Sequence, residues 1–97
     1  MIATFGDALA EDLFLDRKTR ATRSFPLELR RVGRRKLLYL HDAAQLSDLR
    51  VPPGNRLEKL RGNWRGFYSI RLNDQWRLLF RWQQGQALDA QIIDYHG

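Results

Sequence analysis

The chain contains no cysteine, which excludes disulfides, thiolate metal sites and cysteine nucleophiles together. Packing alone must hold the fold. No apolar run approaches the roughly 18 to 20 residues that cross a bilayer. The start, Met1-Ile-Ala-Thr-Phe-Gly-Asp7, lacks a signal peptide's basic opening and apolar stretch. The expected residence is cytoplasmic, with no membrane partner. Metal-ligand spacing, a Gly-rich phosphate loop and a serine-nucleophile motif are also missing. Acid is scarce as well: 11 acidic residues face 17 basic ones, for a formal charge of +6.

Fourteen of the seventeen basic residues are arginine, whose planar fork suits bidentate contact with phosphate. A polyanionic partner follows. Nucleic acid fits better than a membrane surface, because the basic residues are spread over several segments rather than gathered on one amphipathic helix. At 97 residues, 43% hydrophobic and 11% aromatic, the chain is expected to be one folded domain spanning residues 1–97.

Ile2 to Phe5 is expected to form a short edge strand, and Asp7 to cap a helix running to about Asp16. Leu9, Leu13 and Phe14 form its apolar stripe, with Glu11, Asp12 and Asp16 solvated. Arg17 to Arg23 has no apolar period and reads as a basic loop, either a solvated connector or a contact. Pro26 opens a second helix to about Ala44. Leu29, Gly33, Leu37, Leu40 and Ala44 share one stripe with Val32 beside it, and Arg30, Arg31, Arg34 and Arg35 share the opposite face. Pro52-Pro53-Gly54 marks a linker into a β-rich half.

In that half, Leu57 and Leu60 suggest a short strand ending at Gly62. A hairpin then runs from Gly62 to Trp82 around Asn73-Asp74, and a last strand runs from Ala87 to about Tyr95 after the Gln84-Gly85 turn. Two helices on one face of a small antiparallel sheet, in the order β-α-α-β-β-β, make an α+β domain. Tyr68, Ile70, Leu72, Trp76, Leu78, Phe80 and Trp82 can share one face only if the turn takes in Gln75, pairing Leu72 with Trp76 and Ile70 with Leu78. That register gathers Arg71, Arg77 and Arg81 on the second face. Leu88, Ala90 and Ile92 are expected inward, and Asp89, Gln91, Ile93 and Tyr95 outward. Alternation turns Asp94 and His96 toward the helix side unless the strand bends. An arginine face flanked by Tyr95 and His96 suits an RNA cleft; it equally suits an exposed face charged for solubility.

His41 sits late in the second helix, where a histidine commonly serves as a favourable charge. His96 lies beside Asp94 and Tyr95 at the terminus.

Arg56-Leu-Glu-Lys-Leu-Arg-Gly62, Gly66-Phe-Tyr-Ser-Ile-Arg-Leu-Asn-Asp-Gln-Trp-Arg77, Phe80-Arg-Trp82 and the terminal Asp94-Tyr95-His96 resemble the HigB family of bacterial toxins, within the RelE superfamily. The resemblance covers nearly the whole chain and is densest from Pro52 to His96. It implies a RelE-like fold and a ribosome-dependent mRNA endonuclease without metal or other cofactor. It also implies a helix-turn-helix antitoxin as partner, with DNA met only through that antitoxin. By the same resemblance Arg77 holds the phosphate, His96 and Asp94 share acid and base work, and Tyr95 orients the RNA or donates to the phosphate. Arg71, Lys59 and Arg81 are further candidates for RNA contact. Some family members carry a histidine where this chain has Glu58, a carboxylate that an RNA phosphate repels. Two other readings stay open: a non-catalytic RNA or ribosome binder, and a weakly active toxin serving chiefly to bind its antitoxin.

Overall fold

Asp7 begins the ordered helical half. Its carboxylate accepts from Ala10 N at 2.8 Å, capping α1 (Ala8–Phe14), and also from Ile92 N at 3.2 Å, tying the cap to the sheet. These contacts come from a computed structural model that describes residues 1–95. Burial pushes the Asp7 carboxyl above the ordinary carboxylate range, while the two backbone N–H groups oppose that rise.

The basic loop expected after α1 contains a helical turn, α2 (Arg20–Ser24), held by a reciprocal cap between Thr19 and Thr22. No apolar stripe announces it, which is why the sequence reads as loop. Asp12, expected in solvent, is buried. It accepts from Thr19 Oγ1 at 2.8 Å and lies 3.5 Å from Arg17 Nη1. A buried carboxylate needs such partners.

α3 (Leu27–Asp42) follows Pro26 and buries Leu29, Gly33, Leu37 and Leu40 as its periodicity predicts. It stops two residues before Ala44, which is exposed, while Ala43 enters the core. Arg30 bridges back to the preceding turn, donating from Nε to Phe25 O and from Nη2 to Arg23 O.

The sheet is antiparallel in the order β1 (Glu58–Lys59), β2 (Tyr68–Arg71), β3 (Trp76–Gln83) and β4 (Gln86–Asp94). The hairpin arm starts at Tyr68, because Gly62–Trp64 forms a 3-10 turn and both Gly62 and Gly66 take positive φ. The register is the expected one: Ile70 faces Leu78, and Leu72 N donates to Trp76 O at 3.0 Å. Asn73 sets the three-residue turn, its Oδ1 accepting from Gln75 N and Trp76 N. All seven apolar residues of the hairpin pack into the main core with α1 and α3.

β4 departs from simple alternation. Asp89 sits at φ 54, and the pairing shifts between Leu79 and Arg81, so that Arg81 faces Leu88. This bulge inserts one residue and reverses the face of everything before it. Ala87, Ala90 and Ile92 are buried and Leu88, expected inward, is only half-buried. The N-terminal segment runs parallel to β4 but touches it in two isolated bridges, at Ile2–Ala87 and Phe5–Ala90. Thr4 Oγ1 accepts from Asp89 N at the bulge between them.

The sheet's second face carries a smaller cluster of Leu60, Phe67 and Leu79, with Trp64, Ile93 and Tyr95 packed against it. Leu79 sits between Arg77 and Arg81 in strand parity. The arginine face therefore has an apolar footing.

Candidate nucleic-acid interface

Arg71 and Arg77 are direct cross-strand partners on β2 and β3. Like charges so placed repel, and each has its own carboxylate. Arg71 Nη2 pairs with Asp74 Oδ1, and Arg77 Nη1 lies 3.4 Å from Glu58 Oε1. Further along β3, Arg81 Nε lies 3.3 Å from Asp89 Oδ2. The three arginines of this face are thus individually compensated. Two of them also rest on rings, with the Arg81 guanidinium 4.8 Å above Phe67 and that of Arg77 5.4 Å from the centre of Tyr95.

Arg77 is the most enclosed of the three. Its side chain is 16% exposed, against 28% for Arg71 and 54% for Arg81. Nη1 also donates to Ser69 Oγ, a fully buried hydroxyl, at 3.3 Å. Among the described residues both polar contacts fall on Nη1, so Nη2 and Nε are the nitrogens that can meet an oxyanion. A largely desolvated, pre-oriented guanidinium of this kind can bind a phosphate oxygen with little reorganisation.

The structure sorts the predicted residues. Arg77 and Tyr95 meet directly, Arg71 is across the ladder, and Arg81 is on the same face. Lys59 does not join them: alternation along β1 sends it to the side opposite Glu58, where it lines a hollow with Arg50, Leu57 and Tyr68. Asp94 is the ladder partner of Trp76, and its Oδ2 accepts from Gln75 Nε2 at 2.9 Å. Its neighbours Ile93 and Tyr95 face the second cluster. The predicted His96 lies outside the described residues. Among the described residues no group of histidines and carboxylates has metal-binding geometry. No described helix is long and apolar enough to cross a membrane.

Glu58, a carboxylate that phosphate repels, nonetheless reaches the site through its contact with Arg77, which the sequence does not signal. Strand β1 pairs Glu58 with Ser69, and that neighbourhood depends on a register that two residues of strand do not announce. His41 has a structural place: its Nδ1 accepts from Ile2 N at 3.1 Å and its ring lies 5.0 Å from Phe14.

Comparison with known proteins decides the family. Residues 3–96 match the model of the RelE-like toxin of the type II toxin-antitoxin system HigB. The chain belongs to the HigB family of RelE-like toxins. It is 43% identical over 96 residues to Toxin HigB-1 of Vibrio cholerae, covering 99% of this chain and 98% of that one. In structure, the HigB-family chain is similar to a protein in the YoeB-YefM complex from Staphylococcus aureus, with a TM-score of 0.60 at 18% identity over 100% of this chain and 99% of the other. It also resembles YafQ from E. coli strain BL21(DE3), with a TM-score of 0.54 at 12% identity, covering 95% and 91%. Those two likenesses concern the fold alone.

Proposed function

We propose that this HigB-family toxin is a cytoplasmic endoribonuclease that cuts mRNA on the ribosome without a metal ion and is silenced by a helix-turn-helix antitoxin. The observation that carries the reading is the Arg77 guanidinium, held among the described residues by Glu58 and Ser69 through Nη1 and stacked against Tyr95, so that Nη2 and Nε are the nitrogens offered to a phosphate. In the proposed step the ribose 2′-oxygen attacks the adjacent phosphorus. A base takes the 2′-OH proton, the bond from phosphorus to the 5′-oxygen breaks, and an acid protonates that oxygen. The products are a 2′,3′-cyclic phosphate and a 5′-hydroxyl end. Arg77 meets the charge on the phosphorane, Tyr95 steadies Arg77 and the RNA, and His96 and Asp94 carry the protons.

The test is growth arrest on induction. With Asp94 and His96 both changed to alanine, arrest disappears while the protein still accumulates. Undiminished arrest in that variant overturns the nuclease reading in favour of an RNA or ribosome binder. That second reading has one observation behind it: the Gln75 amide holds Asp94 beside Trp76, on the other side of β4 from Tyr95.

A further inference from the structure

A second basic site lies on the opposite side of the molecule from Arg77. α3 turns its leucine stripe to the main core, so its arginines line a hollow of about 510 Å³ between the outer surface of α3 and the segment after α1. Arg30, Arg31, Arg34 and Arg35 form one wall, with Arg17 and Lys18 facing them. Against these six positive groups stand, among the described residues lining the hollow, Asp12 and Asp16, a surplus of four out of the +6 of the whole chain. Asp12 is already engaged by Arg17 and Thr19.

Two features point to a ligand. Arg30 with Arg34, and Arg31 with Arg35, are like charges at i,i+4, an arrangement that works against the helix unless something neutralises it. Arg34 Nε is also buried and, among the described residues, is the buried side-chain polar atom that no hydrogen bond satisfies. Such donors are ordinarily paired.

We infer that this hollow binds the phosphate backbone of double-helical RNA. Among the described residues the hollow has no aromatic lining, which removes the stacking platforms that hold single strands. Its apolar groups are Leu13, 5% exposed, and Leu38, so it lacks the anchoring pocket on which a protein partner would centre. Arginines repeating at roughly 6 Å along a helix axis suit successive backbone phosphates. A-form RNA is read mainly through its shape and backbone. Structured RNA on the helix side leaves the Arg77 face open for a single strand, so both can be held at once.

The inference rests on the reading that the protein works on RNA, and its test separates the two. The probe is a fully 2′-O-methylated RNA duplex of about 16 base pairs, which cannot be cut; a polyglutamate peptide is the competing probe. Arg31→Ala/Arg35→Ala, at two exposed positions, is expected to weaken duplex binding about tenfold or more. The slope of log affinity against log salt should flatten by about 2. Arg31→Lys/Arg35→Lys keeps that slope, and Arg77→Ala binds the duplex like the parent. A folded double-alanine variant with an unchanged duplex slope overturns the site. A loss for polyglutamate equal to or larger than that for the duplex assigns the hollow to an acidic protein partner and overturns the RNA assignment. If the parent protein binds the duplex as described but cuts no transcript, the nuclease reading fails and this one stands.

Discussion

The guanidinium of Arg77 lies 5.4 Å from the centre of the Tyr95 ring, bringing the end of β4 against the middle of the arginine face. The ring also packs on the Leu60, Phe67 and Leu79 cluster. Tyr95→Phe keeps both contacts, so its stability in urea should stay within about 0.5 kcal/mol of the parent. Tyr95→Ala loses the packing and the stack together and should cost about 1 to 3 kcal/mol.

Glu58 restrains Arg77 through a pair whose acidic side chain is 50% exposed, and pairs so open to water contribute little to folding. Glu58→Gln should therefore change stability by less than about 1 kcal/mol. It also removes a charge that competes with phosphate for Arg77. Single-stranded RNA should bind more tightly, with a salt slope steeper by about 1. A filter-binding titration across salt concentrations measures both effects.

Lys36 is buried on α3, donating to Asn55 Oδ1, while Asn55 Nδ2 donates to Leu49 O and Val51 O. Burial pulls the ammonium below its ordinary value of 10.5, and Arg35 and Arg71 add to the shift. Between the lowered folded value and 10.5 the unfolded chain binds more protons, so this group makes stability rise with pH across that window. Below the lowered folded value both states are protonated and the full cost of the buried charge remains. Urea melts of the parent should show that alkaline rise, and Lys36→Met should flatten it.

Gly33 brings α3 close to the sheet. A Cβ there would lie 3.3 Å from Leu13 Cδ1, 3.4 Å from Leu72 Cδ2 and 3.6 Å from Ile92 Cδ1. Gly33→Ala gains about 1 kcal/mol of helix propensity against contacts that a leucine terminus can relax. It should melt at or above the parent temperature. Gly33→Leu overfills the same space and should lose about 1 to 3 kcal/mol.

The hairpin was legible because its alternation admits only one register: Leu72 and Trp76 must meet, and Asn73 supplies the side-chain acceptor that closes the turn. The β4 bulge was not. Leu88-Asp89-Ala90 reads as plain alternation, and one aspartate in the left-handed region inverts it, a conformation aspartate tolerates without requiring. α2 is not legible either, because its single turn rests on the Thr19 and Thr22 caps rather than on an apolar stripe. Strand parity places Arg77 and Tyr95 on one face, where their side chains meet. It does not place Glu58, since its contact with Arg77 depends on how a two-residue strand docks on β2.

Mapping 5′ ends of transcripts after induction tests the central claim most directly. One message is compared with and without its start codon, for the parent chain and for Arg77→Ala. New 5′-hydroxyl ends should appear within the translated message, disappear when translation is prevented, and fall by about 100-fold or more in Arg77→Ala, as the loss of a group holding transition-state charge requires. Cuts at equal frequency in Arg77→Ala, or no new ends in the translated message, would contradict the account.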